Sequence, residues 1–252
     1  MALIKNIRME GGAGYGILVQ VLAKCTQSPY SHCHWKRSLY KYMKADHAKS
    51  LMVNGTVKVG SLYDFRNIDE HDEWIGDRLE GFQSRYTTNT YFEKENFHGA
   101  NLENVRIDMG GRATATVLYS SPDYYLYCTS IRKDKKILLE SEKYDTCVEI
   151  TNPNLFFDEL TKAISKRFNL LYQSYECRPV IYKKKSLLID TKKKIITNDL
   201  WYTKCDIARY RNQREVRTRW APINRTKNPI DPNSLSPFDV PSLSQYCRII
   251  EV

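Results

Sequence analysis

In YRNQREVRTRW, residues 210–220, side chains alternate with period two from Gln213 onward. That period predicts a strand. Gln213, Glu215, Arg217 and Arg219 then share one face, and Arg214, Val216, Thr218 and Trp220 share the other. A glutamate beside arginines on a strand is, standing alone, a structural ion pair. Gln213-Arg214-Glu215 is also a Q-x-E, which sets an amide and a carboxylate side by side. That pair suits chemistry on a ribose. A carboxylate can bond a sugar hydroxyl and stabilise an oxocarbenium, as glycosidases do.

Working outward, strands are predicted over 112–119 and 124–130, with Ser121-Pro122-Asp123 as a hairpin turn between them. The second ends in Cys128-Thr129-Ser130, whose hydroxyls can hold a substrate or cap the next turn. Further back, SLYKYM at 38–43 reads as a strand with Tyr40 and Tyr42 on one face and Lys41 opposite. Asp46 is placed to cap a helix with Ala48, Leu51 and Met52 inward, and Asn54-Gly55 ends it. TVKVGSLYDF then alternates as a strand with Val57 and Val59 together. Strand 144–151 leads to Asn152-Pro153, a helix start, with a buried stripe of Phe156, Leu160, Ala163, Ile164 and Phe168. Strands are expected near 177–182 and 186–190. Residues 222–241 carry five of the nine prolines and should run extended along the surface. The expectation is one α+β domain over 38–221, with an N-terminal extension at 1–37 and a tail at 222–252 packing on it.

Charge is unevenly placed. The net charge is +10, and residues 161–220 hold 16 basic and 5 acidic side chains, so the rest of the chain is nearly neutral. Lys183-Lys184-Lys185 and Lys192-Lys193-Lys194 dominate this segment, interleaved with Tyr172, Tyr175, Tyr182, Trp201, Tyr202, Tyr210 and Trp220. Lysines attract phosphates and exposed rings stack on bases, so nucleic acid is the expected partner. The same pattern also fits a solvated hairpin with lysines on its edges. Residues 61–81 carry seven acids against two arginines, and Asp69, Asp72, Asp77 and Glu80 there could hold a metal.

Other classes are set aside. No run of about 18 apolar residues exists, so no membrane span or membrane partner is expected. The opening residues do not read as a secretory signal, and a cytoplasmic protein is expected. The seven cysteines form no C-x-x-C and read as free thiols. His32-Cys33-His34 lacks a second ligand pair, so no metal is expected. GGAGYG at 11–16 does not fit G-x-G-x-x-G.

The order of aromatic strand, hydroxyl-ended strand and Q-x-E strand resembles the ADP-ribosyltransferase fold, a split, mostly antiparallel sheet with flanking helices. L-Y-K-Y-M, a helix and N-G-T-V-K-V-G-S-L-Y-D-F look like the opening of a widespread bacterial family. C-T-S at 128–130 and Q-R-E-V-R at 213–217 are similar to its later strands, while Gly76-Asp77-Arg78-Leu79-Glu80-Gly81 departs from its acidic loop. Such proteins include CmdT-type toxins of toxin–antitoxin and phage-defence systems, which modify mRNA and are held by an antitoxin and a chaperone. The resemblance implies NAD as a substrate and nucleic acid, RNA favoured over DNA, as acceptor. It implies that Glu215 is catalytic and that Gln213 orients the acceptor. Tyr42, with Tyr40, would occupy the first motif position or stack near nicotinamide, and Ser130 would hold the second motif position. The first strand lacks the arginine or histidine that grips NAD in many transferases, leaving Lys41 or Arg66 to substitute. The competing readings are a non-catalytic nucleic-acid-binding protein and a metal-dependent nuclease using loop 61–81.

Overall fold

The structure, a computed structural model, describes residues 35–66, 81–88, 100–101, 114–141, 143–170, 173–183, 197–205, 208–223 and 230–252. β1 (Leu39–Met43) alternates, burying Leu39 on one face and Tyr42 on the other. α1 (Ala45–Asn54) buries Ala48 and Leu51. It starts before Asp46, which stands in its first turn and does not cap it. The cap comes from across the chain: Asp145 Oδ1 accepts the Ala45 N–H at 2.6 Å. Gly55 ends the helix in the left-handed region at φ 69°, where glycine is unstrained.

The single strand expected after Gly55 is broken in two. β2 (Thr56–Val57) and β3 (Gly60–Ser61) pair with different partners, although Val57 and Val59 are both buried as their spacing predicts. Next come β4 (Phe82–Thr88), β5 (Ala100–Asn101), β6 (Thr114–Ser120) and β7 (Tyr125–Ser130). β6 and β7 do not form the predicted hairpin. β4, β5 and β6 make a separate three-stranded antiparallel sheet, and β7 enters the main one. Asp123 is the reason. Its Oδ1 accepts from the Tyr63 and Tyr124 N–H groups and its Oδ2 from the Ile230 N–H, so the segment ties three parts of the chain together.

α2 (Lys135–Glu140) is capped by Asp134. β8 (Thr146–Ile150) leads into α3 (Pro153–Arg167), where Asn152 Oδ1 accepts the Leu155 N–H and Pro153 opens the first turn, as predicted. β9 (Glu176–Pro179), β10 (Ile181–Lys183) and β11 (Thr203–Cys205) follow, with β10 and β11 parallel. α4 (Ala208–Gln213) and β12 (Glu215–Trp220) come next, then β13 (Phe238–Asp239) and β14 (Cys247–Ile250).

The fold is α+β and mostly antiparallel. Among the described residues, the main sheet has seven strands in the order β14-β8-β1-β7-β12-β9, with β3 also on β7. One face carries the larger core, where Leu39, Tyr127, Val148, Ile150, Val216 and Trp220 meet Ala48 and Leu51 of α1 and Phe156, Phe157, Leu160 and Ile164 of α3. The Trp220 indole N–H donates to Thr161 Oγ1 at 2.8 Å in this core. Thr161→Val keeps the shape and strands that N–H, so we expect a loss of about 1–3 kcal/mol in denaturant unfolding. A loss under half a kcal/mol would mean that the bond is dispensable.

From Ile230 onward the proline-rich tail is not a surface strap. β13 pairs with β2, β14 adds an outer strand to β8, and Leu235, Val240, Leu243 and Cys247 join the core. Apolar residues between the prolines draw it inward. No helix among the described residues is long and apolar enough to cross a membrane. Residues 1–34, including His32-Cys33-His34 and GGAGYG, lie outside the described residues, as does predicted strand 186–190.

Candidate active site in the gap between two strands

The main sheet is open at one place. β12 pairs with β7 along its whole length, from Glu215↔Ser130 to Trp220↔Tyr125. The other edge of β7 is shared: β3 takes Tyr125 and Leu126, and β1 takes only Ser130, through Tyr40. Between these contacts β1 and β7 are splayed apart. Lys41 reaches into the gap, where its Nζ donates to Cys128 O at 2.9 Å.

Three sequence-predicted residues meet here. Tyr40, Ser130 and Glu215 stand opposite one another on β1, β7 and β12, in one row across three adjacent strands. Directly opposed residues of antiparallel strands share a face. A cavity of about 690 Å³ opens at this row and takes in the gap. Lys41, Lys44, Lys58, Lys143, Lys204 and Arg217 line it against two acids, Asp64 and Glu215. That balance favours an anionic ligand.

Glu215 is 7% exposed and lies at the centre of a charged network. Its Oε1 accepts from Arg217 Nε at 2.8 Å and its Oε2 from Lys204 Nζ at 3.2 Å. Arg217 Nη1 is fixed by Trp201 O at 2.6 Å, and Lys204 Nζ lies 4.4 Å from the centre of the Tyr210 ring. Burial pushes the Glu215 carboxyl up, but the Arg217 and Lys204 charges overcome it and hold the group well below the usual carboxylate range. Burial and the Glu215 charge push the Cys128 thiol up to about 12, so it stays protonated.

Gln213 does not share a strand with Glu215, as the alternation predicts. It ends α4, and β12 begins only at Glu215. The break is pinned on both sides: Ser130 Oγ donates to Gln213 O at 2.7 Å and the Ile131 N–H to Arg214 O at 3.1 Å. Arg214 is driven to φ 46°, the left-handed region, at a cost of roughly 1–2 kcal/mol for a residue with a Cβ. Gln213 still reaches the network, its Oε1 accepting from Lys204 Nζ at 3.4 Å. Amide and carboxylate therefore meet through a shared lysine.

The other candidates divide. The hydroxyl of Tyr42 donates to Arg132 O at 2.8 Å and accepts the Asp134 N–H at 2.7 Å. Its ring packs with Ile137 and Cys147, so Tyr42 fixes the loop after β7, and it also lines the cavity. Tyr40 is half-buried and lines the cavity. Ser130 is a pin, with Oγ bonded to Gln213 O and to the Arg132 N–H. Of the two cations expected to replace the missing arginine, Lys41 lines the cavity, while Arg66 is stacked 3.5 Å from the centre of the Tyr63 ring and is not in its lining.

The basic-patch lysines Lys184, Lys185, Lys192, Lys193 and Lys194 lie outside the described residues, and of Lys183 only the backbone, in β10, is described. Tyr175, Trp201, Tyr210 and Trp220 are buried and pack the interior, because a ring of that size gains more from the core than from solvent. Tyr182 accepts the Glu215 N–H at 3.0 Å, which holds the catalytic candidate's backbone. Tyr172 and the acids Asp69, Asp72, Asp77 and Glu80 lie outside the described residues. Among those described, no group of three or more His, Cys, Asp or Glu could hold a metal ion. Cys128, Cys147, Cys177 and Cys247 are not joined in disulfides.

Lys204 is the residue that sequence reasoning missed. It lies 11 positions before Glu215 on a strand outside the main sheet, and no spacing rule links the two. Arg217 was visible as the same-face neighbour of Glu215, two residues on. No protein-family model, curated protein or solved structure matches this chain.

Proposed function

We propose that this chain is an NAD-dependent ADP-ribosyltransferase whose acceptor is nucleic acid, RNA favoured over DNA, acting as a toxin of the toxin–antitoxin or anti-phage kind, with an antitoxin and a chaperone as partners. The carrying observation is the row Tyr40, Ser130 and Glu215 across three adjacent strands, at the wall of a cavity lined by six basic side chains and two acids. A volume of about 690 Å³ suits a dinucleotide, since ligand cavities run from about 300 to 1,000 Å³. Lys44, Lys58 and Lys143 suit its pyrophosphate.

The reaction breaks the bond between ribose C1′ and the nicotinamide nitrogen, and positive charge develops on the sugar. Glu215 is held ionised by Arg217 and Lys204, so a fixed negative charge is in place before reaction. Tyr40 supplies a half-buried ring at the other end of the row, two strands away. The excess of basic residues over 161–220 favours a polyanionic acceptor.

A second reading has its own support. Both carboxylate oxygens of Glu215 are already bonded, as a purely structural network requires, and the chain would then bind nucleic acid without catalysis. Labelled NAD incubated with the protein and total RNA, DNA or protein decides between them. We expect nicotinamide release and label on RNA. RNA bound with no nicotinamide released would establish the binding protein. Activity abolished by chelator would instead favour the metal-dependent nuclease.

A further inference from the structure

If Glu215 stabilises the ribose cation, the transfer still has a proton to place. The C1′–N bond breaks and nicotinamide leaves neutral with the bonding pair. An oxygen or nitrogen of the acceptor bonds to C1′ and must lose its hydrogen as a proton. Glu215 is poorly suited to take it. Its two oxygens hold Arg217 Nε and Lys204 Nζ, and so stabilised a carboxylate is a weak base.

We propose that Lys41 is the general base of this site, its amine taking the acceptor's proton in the gap between β1 and β7. This rests on the transferase reading above. Lys204 and Arg217 are held by Glu215, whereas Lys41 makes no ion pair among the described residues. Its contacts are Cys128 O at 2.9 Å and the face of the Tyr127 ring, 5.0 Å from Nζ to the centre. One N–H is spent on the carbonyl, and a neutral amine keeps its lone pair for a proton.

The groups facing Lys41 can be named. β7 presents the Tyr127 ring and the Cys128 thiol, β12 presents Glu215, and its partner on β8 is the apolar Val148. His47 and Asp64 line the same cavity. Burial lowers the Lys41 pKa, and Cys128 and Glu215 recover only part of that shift. Lys41 is half-buried, and a lysine released from its charge is a common general base. Neutral Lys41 also adds no positive charge beside the developing cation, and once protonated it returns the proton to solvent water.

The sign follows. At low pH Lys41 is an ammonium and cannot accept a proton, so transfer should rise with pH through its lowered pKa. The test compares wild type, Lys41→Arg and Lys41→Met, measuring nicotinamide released from NAD and ADP-ribose transferred to RNA across pH. Arginine keeps the charge but does not deprotonate in this range. We expect ADP-ribose transferred per nicotinamide released to fall about 100-fold in both variants, and the rise with pH to disappear. In the wild type, pH-dependent acetylation of Lys41, followed by peptide mass mapping, should titrate with the rise in transfer, and this readout needs no variant to fold. Lys41 titrating at the ordinary lysine value of about 10.4, or an unchanged ratio and profile in Lys41→Arg, overturns the assignment alone. No nicotinamide released by the wild type overturns the transferase reading, and the base with it.

Discussion

Glu215→Gln is expected to abolish nicotinamide release and, in the same protein, to cost several kcal/mol of stability. The residue is 7% exposed and opposes two cations that are as buried as itself, Lys204 at 2% and Arg217 at 1%. Removing one member of a buried ionic group strands the others in a medium that solvates charge poorly, at a cost of about 3–5 kcal/mol. An inactive Glu215→Gln would therefore be ambiguous alone. Glu215→Gln with Lys204→Met removes one stranded cation and should recover part of the stability while leaving the reaction dead. Denaturant unfolding reads the first effect and nicotinamide release the second. A single variant as stable as wild type would show that the network does not hold the sheet, and a double variant with restored turnover would show that Glu215 is not catalytic.

The pH dependence carries a sign that separates the same two roles. Glu215 has its folded pKa depressed, so its stabilising contribution is fully present above the unfolded carboxyl value of 4.5 and is lost as pH falls toward the lower folded value. Wild type should lose this part of its stability on acidification below about pH 4.5, and Glu215→Gln should lack that part of the dependence.

What the sequence made legible was local. Asn152-Pro153 opens a helix because a side-chain oxygen and a fixed φ act within four residues. Gly55 closes one because of its own backbone freedom. Alternation from Glu215 to Trp220 reads as a strand because one face needs apolar atoms, and Val216 and Trp220 supply them. Partnership was not legible. β6 and β7 are adjacent in sequence and alternate alike, yet Asp123 sends them to different sheets through contacts with Tyr63 and Ile230. Gln213 fits the strand period, yet Ser130, 83 positions away, holds its carbonyl at the helix end. The row Tyr40, Ser130 and Glu215 was readable as three weak motifs in order. The cation on Glu215 from outside that row was not, because Lys204 arrives from a strand beyond the main sheet.

Gly55→Ala should weaken the protein by about 2–4 kcal/mol, from left-handed strain and from overpacking together. Gly55 sits at φ 69°, and a Cβ there would come within 1.9 Å of Val240 O and 2.9 Å of Pro241 Cα. Neither is the end of a flexible side chain. Backbone must move, and it is the backbone whose Val240 N–H donates to Gly55 O at 3.2 Å. Just beyond it Leu243 and Cys247 enter the core and β14 lines β8, which in turn lines β1. β1 carries Tyr40 and Lys41, one bank of the gap. The damage should therefore show twice. Hydrogen exchange at the β14 amides should quicken more than at β12, and NAD affinity should fall although Gly55 is not in the cavity lining. Equal quickening of both strands would show that the tail and the sheet unfold as one unit. A loss under half a kcal/mol would show that residues 240–241 yield to the methyl group freely, and that the tail does not brace the site.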